Sequence, residues 1–86
     1  MKIVVRKPGE AEKKEALGWP VWEKEPSTFP WTYSDRETCL IMEGEATVSA
    51  DREETSFGAG DYVIFPKGLS CVWTVRKAVR KHYRFG

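Results

Sequence analysis

Histidine and cysteine are scarce in this chain. Among 86 residues there are one histidine, His82, and two cysteines, Cys39 and Cys71. A single histidine argues against a metal centre built from several imidazoles. Two cysteines without CxxC spacing are too few for a disulfide scaffold. We also predict no Cys39–Cys71 disulfide, because that bond needs Cα atoms within about 7 Å and an oxidising compartment.

The chain also lacks a dominant charge and a long apolar run. Fourteen basic residues face thirteen acidic ones, for a formal net charge of +1. This balance gives no electrostatic reason to expect a nucleic-acid or membrane-surface partner. No apolar run could span a bilayer, and the first residues lack the apolar core of a signal peptide. We therefore expect a cytoplasmic protein.

What the chain does have is aromatic side chains in a small single domain, residues 1–86. Aromatics make up 13% of the residues and include four tryptophans. A chain of this length buries only about 60–65% of its unfolded surface, so its core must be dense. The favoured interpretation is that most of these rings pack a core, while some could line a mouth that stacks on a ring-shaped ligand.

Short apolar runs separated by turn residues predict an all-β fold. One helix-forming segment, residues 10–17, ends near Gly18. Tight turns are predicted at 43–45, 51–54 and 58–61. The predicted strands are 2–6, 21–25, 29–33, 37–42, 46–50, 55–57, 62–65, 69–75 and 78–85. Many short strands with at most a short N-terminal helix favour a barrel or sandwich.

The segment Gly60–Cys71 carries the most specific pattern. Gly60 and Gly68 can adopt positive φ in tight turns, and Pro66 fixes φ where the chain leaves a strand. The spacing Gly60-x5-Pro66-x-Gly68-x2-Cys71 resembles the second motif of the cupin superfamily, motif 2, around residues 60–73. The spacing Glu37-x6-Gly44 resembles the end of its first motif, motif 1, around residues 31–44.

The likeness extends from about residue 19 to the end of the chain. With the segments Trp19-Pro20-x-Trp22-Glu23 and Val79-Arg80-Lys81-His82-Tyr83, it resembles the small single-domain cupins related to the (S)-ureidoglycine aminohydrolase cupin domain. The resemblance implies a single-domain jelly-roll barrel of two antiparallel sheets. In that superfamily the barrel encloses the site.

The resemblance also implies where a metal would bind. Metal cupins place two histidines and a glutamate in the first motif and a third histidine in the second. The glutamate position is Glu37, but the histidine positions hold Trp31, Tyr33 and Cys71. The manganese set of the ureidoglycine aminohydrolases, Glu, His, His and Gln, is not matched either. We therefore predict no cofactor. The alternative is a degenerate site in which Glu37 and Cys71, helped by Tyr33 and Cys39, hold a softer ion such as Zn²⁺.

Strand alternation predicts which side chains point into the barrel. The predicted pocket is lined by Trp31, Tyr33, Glu37, Cys39, Cys71 and Trp73. The inward cysteines are expected to be small buried hydrophobes, with a reactive Cys71 thiol as the alternative.

Three functions remain open. The first is binding of an unidentified small metabolite in the aromatic pocket, without the usual histidine metal site. The second is an enzyme of nitrogen or carbohydrate metabolism, with Glu37 as general acid/base and Tyr33 as proton donor. The third is a structural or regulatory dimer whose pocket is only core. Whichever function applies, a homodimer through the N-terminal strand or an exposed sheet is expected.

The last predicted strand is rich in basic residues. Tyr83 and Phe85 share one face, so His82 is expected on the other, at the surface or at a subunit interface. The basic run Arg76–Arg84 is interpreted as a solvated sheet face, because the total charge is nearly balanced.

Overall fold

The computed structural model describes all 86 residues and contains one short helix and seven strands. In chain order the elements are β1 (Val4–Arg6), α1 (Glu10–Ala16), β2 (Val21–Lys24), β3 (Ser27–Thr32), β4 (Glu37–Ala50), β5 (Glu53–Gly58), β6 (Tyr62–Phe65) and β7 (Ser70–Phe85). All strand pairs are antiparallel. The predicted all-β jelly roll with a short N-terminal helix is therefore confirmed. No helix has the length and apolar character needed to cross a bilayer.

The two longest strands, β4 and β7, run side by side and belong to both halves of the barrel. The first half of β4 pairs with β6, and its second half pairs with β5. The first half of β7 pairs with β3, and its second half pairs with β2. The two predicted sheets are thus joined in one hydrogen-bonded network, because the same two strands bend from one sheet into the other.

Two predicted strand breaks are wrong. Residues 43–45 were expected to form a turn, but β4 passes through them. Residues 69–75 and 78–85 were expected to be separate strands, but β7 continues from one to the other. The reason is a set of register shifts between β4 and β7 around Gly44, which has φ +94°. A glycine in this conformation lets the strand bend sharply without leaving the sheet.

The main core lies between the two halves of the barrel and contains 13 buried residues, among them Trp73, Phe65 and Ile41. The rings of Phe57, Phe65 and Trp73 meet with centroids 5.3–5.9 Å apart. Offset and edge-to-face aromatic pairs at such distances stabilise the folded state in addition to the effect of burying their apolar surface. Four of the eleven aromatic residues, namely Tyr33, Phe57, Phe65 and Trp73, belong to this core.

Candidate functional site

A cavity of about 230 Å³ opens beside the core at one end of the barrel. It lies among β2, β3, β7 and the start of β4. Seven of its nine lining residues are hydrophobic. Trp31 is 49% exposed and marks the rim, whereas Trp73 is buried. The lining side chains are Trp22, Phe29, Trp31, Tyr33, Glu37, Trp73, Lys81, Tyr83 and Phe85.

The two charged residues of the lining form a buried ion pair. Glu37 is 3% exposed and Lys81 is 4% exposed. The Lys81 Nζ lies 3.1 Å from each of the two carboxylate oxygens of Glu37. A charge buried in a protein is tolerated only when it is paired and hydrogen-bonded, and here each group satisfies the other.

Aromatic rings surround the same ammonium group. Trp22 stands directly opposite Lys81 across the β2–β7 pair, so the two side chains share one face of the sheet. The Lys81 Nζ lies 4.8 Å from the ring centroid of Trp22, 4.7 Å from that of Trp73 and 5.8 Å from that of Phe65. Rings at these distances attract a cation through their electron-rich faces. Glu37 and the three rings together form a cage, the Lys81 cage, that stabilises positive charge at Nζ.

Tyr33 adds a buried hydroxyl to the cavity wall. Its backbone N–H donates to the Leu69 carbonyl at 2.8 Å, and Gly68 N–H donates back to the Tyr33 carbonyl at 2.7 Å. Its ring stacks on Phe65 with centroids 4.8 Å apart. Its hydroxyl accepts a hydrogen bond from Trp73 Nε1 at 3.2 Å and keeps its own proton to donate. Burial, and then the charge of Glu37, raise the pKa of Tyr33 far above its ordinary value, so the phenol stays protonated.

The model of the EutQ-like cupin domain matches residues 11–83. The chain belongs to this family. The predicted membership of the cupin superfamily is therefore confirmed, while the closer kinship to ureidoglycine aminohydrolases stays a prediction.

Solved structures and curated sequences show the same family. A crystal structure of a DUF861 family protein from Thermotoga maritima is 42% identical, covers 99% of this chain and 100% of its own, and superposes with a TM-score of 0.94. The EutQ protein of Clostridium difficile is 25% identical with a TM-score of 0.71, over 76% of this chain and 52% of its own.

The curated relatives are longer proteins. Acetate kinase EutQ of Salmonella typhimurium is 34% identical over 68 residues, which are 79% of this chain and 29% of that protein. The chain thus spans about three tenths of the length of the curated relatives that it matches.

Four of the six predicted pocket residues lie around the cavity of this EutQ-like cupin, namely Trp31, Tyr33, Glu37 and Trp73. The two cysteines are not part of the lining. Cys39 Sγ contacts the Val63 carbonyl at 3.6 Å, and Cys71 Sγ contacts the Trp31 carbonyl at 3.5 Å.

Neither thiol is activated in this position. Burial raises the pKa of Cys39 to about 12. Burial, with a further contribution from the charge of Glu37, raises the pKa of Cys71. Both thiols are therefore protonated near neutral pH, and a protonated thiol is neither a nucleophile nor a good metal ligand. The two cysteines are free, without a disulfide between them.

The side chains around Glu37 do not fit the metal centre of metal-binding cupins. No group of three or more His, Cys, Asp or Glu side chains is arranged to hold a metal ion. Both oxygens of the one matching ligand, Glu37, are already hydrogen-bonded to Lys81. The single histidine, His82, is not part of the lining, and its Nδ1 is hydrogen-bonded to the Trp19 carbonyl at 2.9 Å.

Lys81 is the charged residue of the cavity that the sequence interpretation missed. It was assigned with the run Arg76–Arg84 to a solvated face, which is wrong for this residue. Strand alternation places Lys81 on the same face as Val79 and Tyr83, and the burial along β7 follows that alternation. Because Tyr83 is two residues from Lys81, the two side chains share a face of the strand, and this spacing was a signal that Lys81 points inward. Trp22, Phe29, Tyr83 and Phe85 also line the cavity and were not in the predicted pocket.

Proposed function

We propose that the cavity binds one small, uncharged molecule, without a metal. The observation that carries this proposal is the Glu37–Lys81 pair on the wall of an otherwise aromatic cavity. The pair adds polar groups without adding net charge. A charged ligand would lose its hydration and find no free counter-charge, which is costly in an apolar site.

The size of the cavity limits the ligand further. At about 230 Å³ it is smaller than most drug-sized ligand sites, which span about 300–1,000 Å³. Flat rings such as Trp31 and Tyr33 favour a planar or ring-shaped molecule. The free proton of the Tyr33 hydroxyl favours a ligand with an acceptor oxygen. The proposed ligand is therefore a small ring or short-chain metabolite carrying a carbonyl or hydroxyl oxygen.

The test is a matched set of probes that differ mainly in charge. Benzyl alcohol, benzoate and benzylammonium are added to the purified protein with a metal chelator present throughout. Melting temperature and tryptophan fluorescence report binding. We expect the alcohol to raise the melting temperature and the two ions to have much weaker effects. A larger effect of either ion, or no effect of any of the three, would contradict the proposal.

Two variants locate the binding. Trp31→Ala removes a half-exposed ring from the rim, so it should weaken probe binding with little loss of stability. Val72→Ala is its matched control, because Val72 is 40% exposed on a neighbouring strand and outside the lining. Tyr33→Phe deletes one hydroxyl, and the loss of its hydrogen bond should weaken binding by about three- to tenfold.

No observation favours the other candidate functions. An acid/base role for Glu37 would have to operate through Lys81, because both carboxylate oxygens are hydrogen-bonded to its Nζ. The acetate kinase activity named for the Salmonella relative would need a site for phosphates, and the only cation of this cavity is neutralised by Glu37. Ureidoglycine aminohydrolase activity lacks its ligand set here. A homodimer and a cytoplasmic location remain part of the proposal, and light scattering of the purified protein would test the dimer.

A further inference from the structure

Lys81 differs from every other lysine of the chain. The sequence has eight lysines, and the other seven are exposed. Lys81 is buried, and it lines the cavity in which the proposed ligand would lie. A primary amine at the wall of an apolar cavity is the group that reacts with carbonyl compounds in imine-forming proteins.

We propose that Lys81 condenses reversibly with a small aldehyde or ketone that enters the cavity, to form a protonated imine on Nζ. This inference rests on the proposed function, because the carbonyl compound must first bind in the cavity. It names the ligand class as small carbonyl compounds and assigns Glu37 the movement of protons.

The reaction balances within the cavity. Glu37 takes one proton from the Lys81 ammonium along an existing 3.1 Å hydrogen bond. The freed electron pair of Nζ attacks the carbonyl carbon, a C–N bond forms, and Glu37 returns the proton to the former carbonyl oxygen. Glu37 then takes a second proton from nitrogen and delivers it to the hydroxyl, which leaves as water while the C=N bond forms. Ammonium and carbonyl become iminium and water, and Glu37 ends ionised as it began.

The Lys81 cage suits the product as well as the resting state. The ammonium and the iminium carry the same positive charge at the same nitrogen. Glu37 and the rings of Trp22 and Trp73 therefore stabilise both forms, and no charge has to be moved into or out of the barrel. The mostly hydrophobic lining limits the water that would hydrolyse the imine.

The test traps the imine in the intact protein. The protein is incubated with benzaldehyde and cyanoborohydride at neutral pH, and the adducts are mapped by peptide mass spectrometry. Because the amine is held beside the binding cavity, we expect Lys81 to be labelled at least about tenfold faster than the average exposed lysine. Benzyl alcohol, which lacks the carbonyl, should compete with this labelling.

Variants separate the roles of the residues. Lys81→Arg keeps the charge and should abolish the cavity adduct, whereas Lys77→Arg changes an exposed lysine and should leave it intact. Glu37→Gln should slow labelling at Lys81 without changing labelling at the exposed lysines. If the buried variants do not fold, the map of the unaltered protein decides alone.

Labelling confined to the exposed lysines would overturn the imine proposal. If benzyl alcohol still raised the melting temperature in that case, binding in the cavity would stand without the covalent step. If neither benzaldehyde nor benzyl alcohol bound and no Lys81 adduct formed, both proposals would fail together.

Discussion

At the scale of single residues, the site is defined by a lysine that satisfies a carboxylate. In metal-binding cupins the glutamate equivalent to Glu37 is a metal ligand, and here its two oxygens are hydrogen-bonded to the Lys81 Nζ. Removing one partner leaves the other charge buried and unpaired. Removing both leaves a neutral site. Breaking the pair by removing one partner should therefore lower the free energy of unfolding much more than replacing both residues does.

A double-mutant cycle tests this coupling. We expect Lys81→Met and Glu37→Gln each to lower the free energy of unfolding by about 3–5 kcal/mol. The double variant should lose clearly less than the sum of the two single losses, because neither buried charge then remains. Urea denaturation followed by tryptophan fluorescence measures all four proteins. Additive losses would mean that the two charges do not depend on each other.

The candidate site was only partly predictable from sequence, and particular residues show why. Glu37, Tyr33 and Trp31 follow from motif spacing, because the glycine and proline turns fix where each strand begins. Lys81 lies in the segment Val79–Tyr83 that resembles the small cupins, but the resemblance assigned it no role, and its charge suggested solvent. Only the pairing of β2 with β7 brings Trp22 opposite it, and pairing between distant strands is not encoded in local spacing.

At the scale of elements, β4 and β7 determine the shape of the barrel. Both change partner strands half-way along, and the register between them shifts around Gly44. A Cβ added to Gly44 would overlap the carbonyl group of Ala78 on β7. The sequence shows a glycine between two apolar runs, which is the usual sign of a tight turn. A bulge inside a continuous strand has the same local sequence, so the two could not be distinguished without knowing the partner strand.

Two glycine-to-alanine variants separate backbone strain from this overlap. Gly44 and Gly60 have similar φ values, +94° and +92°. Around Gly60 a Cβ would meet only the exposed end of the Lys7 side chain, at 3.7 Å. We therefore expect Gly60→Ala to cost about 1–2 kcal/mol from conformation alone, and Gly44→Ala to cost about 3 kcal/mol or more. Chemical denaturation compares them, and equal losses would show that the close approach of β7 is unimportant.

At the scale of the whole molecule, the cavity and the core share residues. Tyr33 and Trp73 belong to the main core cluster and also line the cavity, and Cys39 lies in the same cluster. Protonation of the Tyr33 phenol and of the Cys39 thiol is therefore linked to global unfolding. The unfolded chain exposes the thiol and the phenol to water, where both ionise more readily than in the folded barrel.

This linkage predicts a loss of stability in alkali. The pKa of Cys39 is about 12 in the folded protein, against an ordinary value of 9.0. Below pH 9 both states hold the proton and the thiol has no effect. Above pH 9 the unfolded state releases it first, so stability should fall by roughly 1 kcal/mol per pH unit until the folded thiol ionises near pH 12. The raised pKa of Tyr33 should steepen the fall above pH 10. Urea denaturation between pH 8 and pH 11 measures the slope. Cys39→Val removes the titrating thiol and should make the slope shallower, while an unchanged slope would mean that the buried thiol is not linked to unfolding.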